Sequence, residues 1–237
     1  MDMKERLIIA LDYNNIEDMK NLIEKLGDEV LVYKVGLEGF LNTKGEIIDY
    51  LISKNKKIFL DLKFHDIENT VVNAAKFALT QNAFIYNIHA SNGFKTMQAV
   101  AEETKKSGKD TKAIAVTILT NLADDDLNIM YPERGMKADA QVEQFATLAF
   151  KAGMDGVVCS PLEAKNIKEK CGKDFLTICP GVRPTFASVG DQKRVMTPKE
   201  ALENGADYLV VGRPITAAEI PADAAKSVIE EMQSANI

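Results

Sequence analysis

Eight short apolar runs rich in Val and Ile recur along the chain and alternate with stretches of helical spacing. The runs are RLIIALD (6–12), VLVYKVG (30–36), KKIFLDLKF (56–64), AFIYNIHA (83–90), KAIAVTILT (112–120), DGVVCS (155–160), FLTICPG (175–181) and DYLVVGR (207–213). Between them lie segments such as IEDMKNLIEKLG, NTVVNAAKFALTQN and AQVEQFATLAFKAG, whose apolar residues recur every three or four positions, two of them closed by glycine as helices commonly are. Strands that are apolar at nearly every position need cover on both faces, and a helix between successive strands makes them parallel. Eight such units in 237 residues match the count and size of a closed barrel. The expected fold is therefore α/β, a single-domain (β/α)8 TIM barrel over residues 1–237, with a doubly wound open sheet as the alternative.

Composition narrows the class of function. A formal net charge of −6 and a pI near 5.1 argue against nucleic acid as the partner, because phosphate backbones are held by clustered Lys and Arg. No apolar stretch reaches the eighteen or so residues that a membrane span needs, and MDMKERLIIALDYNN turns polar too soon for a signal peptide, so a cytoplasmic location is expected. Cys159, Cys171 and Cys179 are odd in number and lack CxxC spacing, which favours reduced thiols over a disulfide framework or zinc site.

Charged residues gather where the apolar runs end, and in a barrel of this kind the C-terminal strand ends form the active site. The first run ends in Asp12, the second carries Lys34, the third carries Asp61 and Lys63, and the eighth runs into Gly212 and Arg213. On a strand, side chains two apart share a face, so Asp61 and Lys63 should project together into the mouth while Leu60, Leu62 and Phe64 face the helices. Two long connections, 121–137 and 182–198, have the length of lids over that mouth.

The pattern restricts what Lys63 can do. A lysine that acts as a base or forms a Schiff base needs a depressed pKa, whereas neighbouring carboxylates favour the ammonium, each by roughly 4 kcal/mol at about 4 Å in an effective dielectric near 20. Lys63 is thus expected to be a fixed cation and proton donor suited to a carbanion forming beside it. Asp61 would repel a substrate carboxylate until it left as neutral CO2.

Taken together, LDYNN, YKVGLEGF, DLKFHDIENT, VTILT, CPGVRP, the Gly190 to Gln192 stretch and VVGRPIT resemble the orotidine 5'-phosphate decarboxylase family in its shorter bacterial form, from Leu7 to about Thr216. The resemblance implies cofactor-free, metal-free decarboxylation of orotidine 5'-phosphate to UMP on a homodimeric barrel. It implies that Lys63 protonates C6 of the pyrimidine and that Asp61 lies against the departing carboxylate. Lys34 and Asp12 would bind ribose hydroxyls and complete an alternating charge network with Asp61, Lys63 and Asp66. Asp66, Ile67 and Thr70 would reach into the partner subunit's site. Thr120 would contact the pyrimidine, and Arg183, Gln192, Gly212 and Arg213 would hold the phosphate.

Three other readings compete. A magnesium-dependent sugar-phosphate decarboxylase with the same Asp-x-Lys-x-x-Asp core needs further acidic ligands, but Glu38 comes late and the fourth run ends in His89. A non-catalytic nucleotide-binding barrel predicts loss of a network member, and all are present. A zinc site from His65 and His89 has only two histidines to draw on, so a buried, hydrogen-bonded His89 is expected instead.

Overall fold

The computed structural model describes residues 2–132, 135, 137–187 and 196–237. Eight strands, β1 (Leu7–Ala10), β2 (Val32–Gly36), β3 (Lys57–Phe64), β4 (Ile85–His89), β5 (Lys112–Val116), β6 (Gly156–Val158), β7 (Leu176–Pro180) and β8 (Tyr208–Val211), pair in parallel and in order, and β8 closes on β1. Each of the eight apolar runs contributes one strand. Closure leaves no sheet edge with unpaired backbone groups.

Alternation along the strands sorts side chains into two cores. Ile8, Val32, Phe59, Ile85, Ile114, Ile178 and Tyr208 fill the barrel, whereas Leu7, Ile9, Tyr33, Val35, Leu60 and Tyr86 pack outward against the helices. The inner positions two residues further along are Lys34, Asp61 and Asn87, so the apolar fill gives way to polar groups towards the C-terminal ends of β2, β3 and β4.

Several boundaries differ from expectation. The fifth run leaves the sheet after Val116: Thr117 still donates its N–H and hydroxyl to the Val158 carbonyl of β6, and Ile118–Thr120 then line the mouth. The connection that follows contains a helix, Asp124–Met130, and Asp126 in its first turn reaches back to accept from the N–H of Ala123, the residue before it. In the second long connection, Val182 bridges Met196 and Arg183 N–H donates to the Met196 carbonyl, pinning the base of the loop. All three cysteines are free and buried, with Cys159, just past β6, beside Cys179 on β7, Sγ to Sγ 3.8 Å. Among the described residues no helix is long and apolar enough to cross a membrane.

Candidate active site

The strand ends enclose a cavity of about 300 Å³ at the C-terminal mouth. Asp12, Lys34, Asp61, Lys63, Thr120, Arg183, Gly212 and Arg213, eight of the residues singled out from sequence, line it. Its floor is apolar, made by Ala10, Phe59, Val116, Val158 and Val210. One side is therefore ionic, the opposite rim carries two arginines, and an apolar surface lies beneath both.

The ionic side is a chain of alternating charges. Lys34 Nζ lies 3.0 Å from Asp12 Oδ1 and 3.4 Å from Asp61 Oδ2, and Lys63 Nζ lies 2.7 Å from Asp61 Oδ1. Asp61 is buried and Asp12 largely exposed, so the network runs from solvent inward. Burial alone depresses the Lys34 pKa, but Asp61 and Asp12 outweigh it and the ammonium sits above the ordinary lysine value.

Asp61 and Lys63 do share the mouth face, with Leu60 and Leu62 packed outward, yet the backbone between them is not a regular strand. Leu60 pairs with Tyr86 and Phe64 with Ile88, so residues 61, 62 and 63 stand opposite Asn87 alone. Lys63 has φ 50°, a left-handed conformation that costs a side-chain-bearing residue about 1–2 kcal/mol. Among the described residues the other non-glycine positions of this kind, Lys44, Asn55 and Asn82, all lie in turns just after helices; Lys63 alone lies inside a strand.

Two asparagines hold this bulge. Asn87, fully buried on β4, donates from Nδ2 to Asp61 Oδ1 at 2.6 Å and accepts the Lys63 N–H at 2.8 Å. Asn92 donates to the carbonyls of Phe64 and His89 and accepts the Asp66 N–H at 3.1 Å. Neither was singled out from sequence. The available signal was Asn87 itself, an amide in the otherwise apolar strand IYNIH, which must find partners when buried.

The model for the family described as "Orotidine 5'-phosphate decarboxylase / HUMPS family" matches residues 5–228. The chain belongs to the orotidine 5'-phosphate decarboxylase family. It is 41% identical over 237 residues to orotidine 5'-phosphate decarboxylase of Nostoc sp., covering 96% of this chain and 97% of that one. With the enzyme of Geotalea uraniireducens it shares 42% over 241 residues, covering 98% and 97%. The crystal structure of orotidine 5'-phosphate decarboxylase from Lactobacillus acidophilus superposes with a TM-score of 0.85 at 38% identity, covering 96% of this chain and 99% of that one.

Within this orotidine 5'-phosphate decarboxylase family barrel, the remaining expected residues fall in three places. Asp66, Ile67 and Thr70 are exposed on the rim beyond β3 and do not line their own chain's cavity. Gln192 lies outside the described residues. At Gly212 an added Cβ would meet only Ala10 Cβ, at an ordinary 3.8 Å, so nothing within the chain crowds that position.

The histidines correct one expectation. His89 is half-buried rather than buried, and among the described residues its ring has no hydrogen-bond partner; it faces the His65 ring at 5.1 Å instead. Burial, then His65 and Lys63, push the His89 imidazole below the ordinary histidine value. His65 lies past β3, its ring tilted against that of His89 and its Nε2 3.2 Å from Ser91 Oγ. Among the described residues no three His, Cys, Asp or Glu side chains converge as a metal site would need.

Proposed function

We propose that this chain, as one catalytic barrel domain, converts orotidine 5'-phosphate to UMP and CO2, and that Lys63 and Asp61 carry the chemistry. The single observation behind this reading is the alternating series Asp12, Lys34, Asp61, Lys63 at the mouth of a cavity large enough for a ribose-linked base. Removing charges from water costs several kcal/mol per ion, and buried ion pairs seldom return that as stability. Such a network is better understood as machinery.

In the reaction the bond from C6 to the carboxylate breaks, CO2 leaves, and the bonding electron pair stays on C6. The Lys63 ammonium, already fixed beside that carbon, donates a proton to it and is reprotonated from solvent. A cation preorganised where negative charge develops stabilises the transition state without having to reorganise. Asp61 facing the substrate carboxylate raises the energy of the bound substrate, and that repulsion ends when CO2 departs.

The other roles follow the same axis. Lys34 and Asp12 would hold the ribose hydroxyls, Thr120 the pyrimidine, and Arg183, Arg213, Gln192 and the Gly212 backbone the phosphate. The open space beside Gly212 fits a position that a ligand approaches closely. The reading also includes a cytoplasmic homodimer with shared sites. Asp66, Ile67 and Thr70 do not line their own cavity, and exposed Leu37, Leu41, Ile67, Phe77 and Phe94 occupy the three neighbouring segments that follow β2, β3 and β4. An apolar face there suits a two-fold contact that carries Asp66 into the partner's mouth. The test is loss of orotidine 5'-phosphate absorbance on adding the purified chain, with and without EDTA. Turnover indifferent to EDTA is expected, and absence of turnover would overturn the reading.

A further inference from the structure

Asn87 does not line the cavity, yet both halves of its amide are committed to groups that do. A peptide N–H can only donate, so the Lys63 N–H fixes the Asn87 oxygen towards it and leaves Nδ2 facing Asp61. Asp61 Oδ1 then receives two donors, Asn87 Nδ2 and Lys63 Nζ, while Oδ2 is left to Lys34. The same amide meets the Lys63 backbone where three residues of β3 face one of β4 and the ladder is interrupted. It thus ties the carboxylate and the left-handed turn of the lysine to a single rigid point on the neighbouring strand.

We propose that Asn87 is a positioning residue for the decarboxylation: by bridging Asp61 Oδ1 and the Lys63 N–H it sets the direction in which the carboxylate and the ammonium face the reacting carbon. This rests on Asp61 and Lys63 being the catalytic pair. A buried amide with one donor and one acceptor engaged is a stiffer spacer than water or an apolar side chain, and a displacement of about 1 Å at a reacting group lowers the rate by on the order of 100-fold.

The test compares Asn87→Ala, Asn87→Asp and Lys63→Ala in the full-length protein. Asn87→Ala should lower kcat by about 100-fold while KM and the affinity for UMP change less than about threefold, because Asn87 touches neither the ribose nor the phosphate end of the cavity. Asn87→Asp replaces a donor with an acceptor. The groups around it are Asp61 and Lys63 on β3, Lys34 beyond Asp61, and His89 on its own strand, while its partner on β5 is the apolar Ile114. When the introduced carboxyl is ionised it faces the Asp61 carboxylate and kcat should fall. When it is protonated, its O–H can donate to Asp61 Oδ1 and its other oxygen can accept the Lys63 N–H. The kcat profile of Asn87→Asp should therefore gain a limb that descends with rising pH and that the wild type lacks.

A folded Asn87→Ala barrel with kcat within about threefold of wild type, or one in which UMP affinity falls as far as kcat, overturns the proposal. If the alanine variant does not fold, the pH profile of Asn87→Asp decides, and a profile parallel to wild type overturns it. Lys63→Ala separates the two levels. If that variant keeps turnover, the catalytic reading fails and the proposal with it; if it loses turnover while both Asn87 variants keep theirs, only the proposal fails.

Discussion

Lys63 Nζ rests 2.7 Å from Asp61 Oδ1, although the two residues are separated by a single leucine and Lys63 is held at φ 50°. A regular strand would carry the two side chains parallel into the mouth. Here the backbone turns left-handed at Lys63, the ammonium rests on the carboxylate, and both line the cavity. Strain of this kind inside an element persists only where surrounding contacts over-determine it, and such positions cluster at functional sites.

Lys63→Ala is expected to reduce kcat by about 10,000-fold or more, since it removes both the cation at the developing charge and the proton donor. Affinity for UMP, measured by calorimetry, should remain, because the ribose and phosphate contacts are elsewhere. A loss of only a few-fold in rate would remove Lys63 from the central role.

Arg213→Ala is expected to lower kcat/KM for orotidine 5'-phosphate by about 10- to 100-fold, the value of one charge-assisted hydrogen bond to phosphate, although Arg213 lies across the mouth from Lys63. Orotidine without its phosphate should be turned over poorly by the wild type and be nearly indifferent to the substitution. Equal damage to both substrates would show that Arg213 does not read the phosphate.

On the proposed two-fold dimer with shared sites, Lys63→Ala and Asp66→Ala proteins should each be almost inactive, and mixing them should restore activity. In a hybrid, one site takes Lys63 from one chain and Asp66 from the other. Random exchange of equal amounts makes about half the dimers hybrid, with one good site of two, so roughly a quarter of wild-type specific activity should return. Confirmed hybrids of tagged chains without recovery would place both residues in the same subunit's site.

Lys34 makes a prediction about stability and pH. Its folded-state pKa is raised, after Asp61 and Asp12 outweigh burial, so its contribution is fully present below the unfolded-state value and is lost as pH rises through the folded-state value. Lys34→Met should be less stable than wild type by about 1–3 kcal/mol at neutral pH, because the buried Asp61 Oδ2 loses its cation while Lys63 and Asn87 still hold Oδ1. By urea unfolding, that gap should stay flat up to the ordinary lysine value of 10.5 and narrow only above it. A gap that already narrows between about pH 7 and 9 would mean that Lys34 is not held as an ammonium.

Much of this protein is determined by its sequence alone, for a local reason. The eight apolar runs and the helical spacing between them depend on neighbours one to four residues apart, and the closed parallel barrel follows from their number and order. Asp61 and Lys63 are likewise close in sequence, so their common face was legible, as were Asp12, Lys34 and Arg213 at strand ends. What the tertiary structure decided is set by register between strands, which no short stretch encodes. That Asp12 and Asp61 both reach Lys34 depends on how β1, β2 and β3 slide against one another. The bulge opposite Asn87 and the turn at Lys63 belong to the register between β3 and β4, where β3 spends three residues against one, and the His65–His89 contact likewise joins groups on two strands' ends. Asn87 and Asn92 were silent in the sequence because an amide has no periodicity of its own; its meaning comes from the groups that folding brings within hydrogen-bond distance.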